Sequence, residues 1–190
     1  MGLTNQPAPS REQLFWAFCR VLANQTRLNL LFEIIRHAPL PVAQLAAQTG
    51  MQTANASMQL KELHTYGLIA PYRKKQSVYY AIRDLPPEIY PRLVLPSLIR
   101  AAHSNTAPAE IIHLATAFTH QRRVEIVKLL SNQPRTTNDL LDCSNIKRSA
   151  LSRHLSKLKR RGFVLRDNDG YRLVHQKNKL GAALLAAALH

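Results

Sequence analysis

The sequence predicts a mainly α-helical chain with small β-hairpins, in which one structural unit occurs twice. Three observations carry this reading: an internal sequence repeat, helix-period apolar patterning in each copy, and a β-branched or aromatic hairpin closing each copy. Residues 22–35 placed over 118–131 set Gln25 on Gln121, Arg27 on Arg123, Leu28 on Val124, Leu30 on Ile126, Leu31 on Val127 and Ile34 on Leu130. The paired apolar positions recur at helical spacing, so the match preserves a buried face as well as letters. After a one-residue slip, Ser57, Leu60, Leu63 and Gly67 meet Ser152, Leu155, Leu158 and Gly162.

Each element follows from its own residues. Ser10-Arg-Glu-Gln13 has the form of a capping box and opens a helix through about residue 22. A second helix is expected over 25–37, closed by Ala38-Pro-Leu-Pro41. A short third helix over 42–49 stops at Gly50, and a fourth over 53–66 turns Ala56, Leu60 and Leu63 inward and stops at Gly67. Runs 68–73 and 77–82 flank Lys74-Lys75-Gln76 as a hairpin. In the second copy, helices are expected near 109–118, 122–131, 138–143 and 148–161. Strands 163–166 and 171–174 there flank Asp167-Asn-Asp-Gly170, a strong hairpin turn. Each copy then has a terminal helix: 89–103, interrupted by Pro91 and Pro96, and 178–190, carrying Leu180, Leu184, Leu185 and Leu189. The expected division is 1–105 and 106–190, joined near 84–110. Helix, short helix, glycine-marked turn, long helix and hairpin is the order of a winged helix-turn-helix. The expected fold is therefore a tandem winged helix-turn-helix forming an internal pseudo-dimer.

Several residue runs resemble a known family. Leu22-Ala-Asn-Gln-Thr-Arg-Leu28 is similar to the opening of arsenic-repressor (ArsR) type regulators. The runs from Gly50 to Leu63 and from Ile146 to Leu158 resemble their recognition helix, the second keeping a Ser-Arg-His-Leu core. Tyr72-Arg-Lys-Lys-Gln-Ser-Val-Tyr-Tyr80 is similar to the family's wing. The resemblance implies duplex-DNA binding and transcription regulation, by repression. It also implies pairing of first and last helices, here within one chain, with recognition helices roughly 34 Å apart. The apolar C-terminal helix offers a homodimer as the other arrangement.

Charge agrees with a nucleic-acid partner. The 190 residues carry a formal net charge of +15, split as 11 basic and 5 acidic residues in 1–105 against 15 and 6 in 106–190. No apolar run approaches the roughly 18–20 residues that span a bilayer. Neither a membrane partner nor a signal peptide is expected, and a cytoplasmic location is. With Leu151, Leu155 and Leu158 inward, Lys147, Arg148, Ser149, Ser152 and Arg153 fall on or beside the outward face of the second recognition helix. His154 stands between the two faces. From Lys147 to Arg161 there are seven Lys or Arg, Arg160 included, and no acid. A solvated helix usually mixes signs, so this run favours phosphate contact. The first recognition helix offers Gln52, Thr53, Asn55, Ser57 and Gln59, neutral groups suited to base edges; a lapsed unit kept for packing is the alternative. The wings add Arg73, Lys74 and Lys75 in one copy, and Arg166 and Arg172 in the other, where Asp167 and Asp169 oppose them.

Cys19 and Cys143 lie far apart and lack Cys-x-Cys or Cys-x-x-Cys spacing, and the histidines are scattered, so neither a metal site nor another cofactor is expected. No phosphate loop or nucleophile motif points to an enzyme. The rival reading is a tandem winged-helix module that binds protein in a chromosome or transcription complex.

Overall fold

The computed structural model describes residues 11–74, 77–82 and 89–190. The expected Ser10 cap, Lys75 and the first part of the joining segment (84–88) lie outside the described residues. The chain is mainly helical with small antiparallel sheets, consistent with winged helix-turn-helix architecture.

The first half runs α1 (Arg11–Leu22), α2 (Gln25–His37), β1 (Leu40–Pro41), α3 (Val42–Gln48), α4 (Thr53–Thr65), β2 (Ile69–Lys74), β3 (Ser77–Ile82) and α5 (Ile89–His103). The second runs α6 (Pro108–Ala115), α7 (Gln121–Leu129), α8 (Thr137–Cys143), α9 (Arg148–Arg160), β4 (Val164–Asp167), β5 (Gly170–Leu173) and α10 (Lys179–Leu189). Helix α2 starts at N-cap Asn24, whose side chain accepts from the Arg27 N–H. Helix α8 starts at a full capping box, Thr136 with Asp139, which the sequence reading did not single out. The Asp139 carboxylate accepts from the Thr136 N–H, and the Asp139 N–H donates in return to Thr136 Oγ1. Hydrogen bonding to Thr136 holds the Asp139 carboxyl below its usual range.

The turn glycines adopt the left-handed backbone their positions require: Gly50 at φ 67° before α4, and Gly67 and Gly162 at 73° and 77° after α4 and α9. Helix α5 is continuous, with Pro96 inside it. Pro91 sits in the first turn, where the helix needs no amide donor, and buried Val94, Leu95 and Leu98 hold the rest against neighbours.

One strand was not expected. Leu40 and Pro41 pair with Tyr80 and Tyr79, which adds β1 to the edge of the β2–β3 hairpin. In the second half an isolated antiparallel bridge joins Arg135 to Tyr171 beside β5. Gly170 permits that approach: a Cβ there would sit 2.4 Å from the Arg135 carbonyl oxygen.

The buried side chains form one continuous cluster through both halves. Helix α1 packs on α6 and α7, and α5 packs on α10. An aromatic chain crosses between the halves: Phe15 meets Phe118 at 5.6 Å, and Phe118 meets Phe163 edge-on at 4.6 Å. Helix α10 buries Leu180, Leu184, Ala187 and Ala188 inside the same chain. No helix among the described residues is long and apolar enough to cross a membrane.

Candidate nucleic-acid interface

Helix α9 is sharply two-faced. Leu151, Leu155 and Leu158 are buried, while Arg148, Ser149, Ser152, Arg153 and Arg160 are exposed. Lys147 is the exposed N-cap residue. Arg148 donates from Nη2 to Asn138 Oδ1 at 3.1 Å, which sets the guanidinium between α8 and the start of α9. Arg161 does not join this face. Its Nε donates to Thr116 Oγ1 and its Nη1 meets His113 Nδ1, both at 2.9 Å, so it ties the end of α9 back to α6.

A cleft of about 680 Å³ opens between the start of α7 and α9, lined by His120, Arg123, Arg153, His154, Lys157 and Arg160 among others. The His120 and His154 rings lie 4.6 Å apart. His120 is the N-cap of α7, and its Nδ1 accepts from the Arg122 N–H at 3.1 Å. His154 is half-buried, and burial, then His120 and the surrounding arginines, push its pKa down to about 4. Burial, then Arg123, Arg20 and Arg122, lower His120 as well. Lys157 is depressed by burial and by Arg161, Arg123 and Arg160. The cleft is thus a place where positive charge is crowded and unfavourable without an anion.

Helix α4 has the same length and a different surface. Counted from each N-cap, Gln52, Thr53, Met58, Glu62, His64, Thr65 and Tyr66 stand where the second half has Lys147, Arg148, Arg153, Lys157, Lys159, Arg160 and Arg161. Every cation of α9 is therefore replaced. Gln52, Thr53, Asn55 and Ser57 are exposed, and so is Met58, at 62%. Gln59 is committed elsewhere: its Oε1 accepts from Arg27 Nη1 at 3.0 Å, and its Nε2 reaches Asn55 Oδ1 at 3.4 Å.

The wings differ too. Arg73 and Lys74 are exposed on β2, beside a Tyr72–Tyr79 stack with centroids at 5.5 Å. On the other hairpin Arg172 is paired with Asp167 at 2.7 Å, and Arg166 lies over the Tyr171 ring at 5.6 Å. The Arg172 hydrogen bond draws the Asp167 carboxyl below its usual range.

Sequence reading missed His120, Arg123 and Arg20 as members of this region. One signal was present: His120 falls on Asn24 in the repeat, an N-cap position. Cys19 is fully buried, which raises its thiol pKa, and Cys143 is exposed with Arg135 Nη1 3.5 Å from its sulfur. Among the described residues, no three His, Cys, Asp or Glu are grouped to hold a metal ion.

The segment running from α7 through α9 is similar to known proteins. Residues 120–165 match the sequence model of the bacterial regulatory protein, arsR family. The chain is also similar to the HTH-type transcriptional regulator NmtR of Mycobacterium tuberculosis (strain ATCC 25618 / H37Rv), at 37% identity over 65 residues. That match covers 34% of this chain and 53% of the relative, so the chain spans about half the length of the curated relative it matches. No solved structure matches the chain.

Proposed function

We propose that this chain is a duplex-DNA-binding transcription regulator, acting as a repressor, built from two winged helix-turn-helix units (1–105 and 106–190) paired within one chain. The observation that carries the reading is the face of α9. Lys147, Arg148, Arg153, Lys159 and Arg160 stand exposed with no acid on the helix, in the segment that matches the arsR family. Exposed cations of one sign on a helix of groove-entering type are the footprint of phosphate contact. Ser149 and Ser152 between them are suited to base edges.

Support for internal pairing comes from the packing of α1 on α6 and of α5 on α10, first helix with first and last with last. The apolar face of α10 is used inside the chain, which favours a monomeric pseudo-dimer over a homodimer through that helix. The second unit is the electrostatic anchor; the first reads polar edges through Gln52, Thr53, Asn55 and Ser57, with Arg73 and Lys74 on its wing. The test is binding of a labelled random-sequence duplex, titrated with salt. The reading expects log affinity to fall linearly with log salt at a slope of several, about 0.9 per neutralised phosphate. A flat salt response would favour the protein-interaction module instead.

A further inference from the structure

We propose that the cleft between the start of α7 and the middle of α9 seats a backbone phosphate of the bound duplex, and that the His120–His154 pair takes up a proton from the buffer as the phosphate arrives. The proposal rests on the DNA-binding reading above.

The geometry supplies the argument. Two imidazoles lie 4.6 Å apart at the wall of the cleft. Every neighbouring element turns cations toward them: Arg20 from α1, Arg122 and Arg123 from α7, and Arg153, Lys157 and Arg160 from α9. The facing carboxylate is Glu125, and Arg122 already holds it at 2.8 Å. The Cys19 thiol behind Arg123 is buried and neutral. His120 accepts at Nδ1 from a backbone N–H, so in the free protein its proton sits on Nε2 and the ring is uncharged. His154 is also neutral, being held near 4.

An arriving phosphodiester reverses this balance. One unit charge at about 4 Å, at an effective dielectric constant of about 20, moves a neighbour's titration by roughly three pH units. That is enough to carry His154 from about 4 into the range of pH 6 to 7. The added proton then completes a charge pair with the phosphate.

The first half lacks this device while keeping its framework. Its N-cap is Asn24 in place of His120, and the seventh residue of α4 is Gln59 where α9 has His154. Neither titrates, and Gln59 is bonded to Arg27. The chain therefore supplies its own control substitutions, His120→Asn and His154→Gln, both of which the fold already accommodates in its other half.

The experiment measures binding of a labelled random-sequence duplex by the full chain from pH 5.5 to 8 at fixed ionic strength. Calorimetry in two buffers of different ionisation enthalpy counts protons. The expected result is net uptake approaching one proton per complex near pH 6. Affinity should then rise by up to about tenfold per pH unit lowered, and both effects should be lost in H120N/H154Q. Thermal unfolding verifies that the variant is folded. Salt-dependent binding by the parent with no proton uptake overturns the proposal and leaves the DNA reading standing. Equal uptake in parent and variant also overturns it, by assigning the proton to other histidines. Absence of salt-dependent binding at every pH sinks the DNA reading itself.

Discussion

Arg27 and Gln59 are joined by a 3.0 Å hydrogen bond from Nη1 to Oε1, which ties α2 to the middle of α4. The rest of the Arg27 guanidinium closes the end of the preceding helix: Nε donates to Val21 O and Nη2 to Arg20 O. Arg123 does the same one unit later, donating Nε to Ala117 O and Nη2 to Thr116 O. In both halves one arginine reaches back six and seven residues to carbonyls at or just past a helix end. The difference is what each faces beyond them, a glutamine in one case and a histidine pair in the other.

Removing either arginine should destabilise the fold. Arg27→Met or Arg123→Met forfeits several charge-assisted hydrogen bonds and is expected to cost about 1.5–3 kcal/mol, read as a lowered midpoint in denaturant. Arg123→Met should also weaken duplex binding, because Arg123 lines the cleft.

The exposed arginines should separate from the engaged ones in binding. Arg148→Ala with Arg153→Ala is expected to lower the salt slope by up to about 1.8, one phosphate for each arginine. Arg161→Ala and Arg172→Ala, whose guanidiniums are held by Thr116 with His113 and by Asp167, should leave the slope near the parent value. Anisotropy titrations at several salt concentrations decide it.

Phe118 sits at the junction of the aromatic chain, fully buried between Phe15 and Phe163. Phe118→Ala should cost about 3–5 kcal/mol. Because the core is continuous, Trp16 fluorescence in the first half and far-ultraviolet circular dichroism of the whole chain should report one coincident transition. Two separated transitions would show that the halves unfold independently.

Stability of the free protein should depend on pH through His154. Its folded pKa, about 4, lies below the ordinary value of 6.5, so between these limits the unfolded chain binds a proton that the native chain does not. Stability contributed by the neutral ring is complete above about 6.5 and is lost as pH falls toward 4. Unfolding midpoints from pH 4.5 to 7.5 should climb with pH, and more shallowly in His154→Gln.

Gly170→Ala is expected to be worse than Gly50→Ala. At Gly170 the new methyl meets the Arg135 backbone at 2.4 Å and a φ of 120°, whereas at Gly50 there is open space and only the left-handed backbone resists. The latter should cost about 1–2 kcal/mol, and the former more, with loss of the Arg135–Tyr171 bridge visible in amide exchange.

Long amphipathic helices were legible in the sequence because their buried faces repeat: the expected 25–37 is α2 as found. The first hairpin was legible from its β-branched and aromatic runs, and the second from its Asp-Gly turn. Strand β1 was not, since two residues ending in proline carry no periodicity, and the pairing that makes them a strand is with Tyr80 and Tyr79, far along the chain. In the candidate site, the cationic face of α9 followed from three inward leucines. The direction taken by Arg161 did not, because composition counts a guanidinium without saying that Thr116 and His113 lie within its reach. The imidazole pair was hidden for a similar reason: its members belong to different helices, and one of them occupies a capping position where asparagine or serine is the usual choice.

The seat of α5 against α10 has a consequence for how such a regulator would meet its target. Two copies that must find each other in solution fall apart on dilution, and they are bound to carry identical surfaces. Halves joined by the backbone do neither. Occupancy of an operator should then rise in simple proportion to the amount of protein, however scarce. Under the proposed reading, with α4 and α9 free to diverge, the complex would gain a heading: it would lie one way round on the double helix, and reversing the operator would reverse the protein.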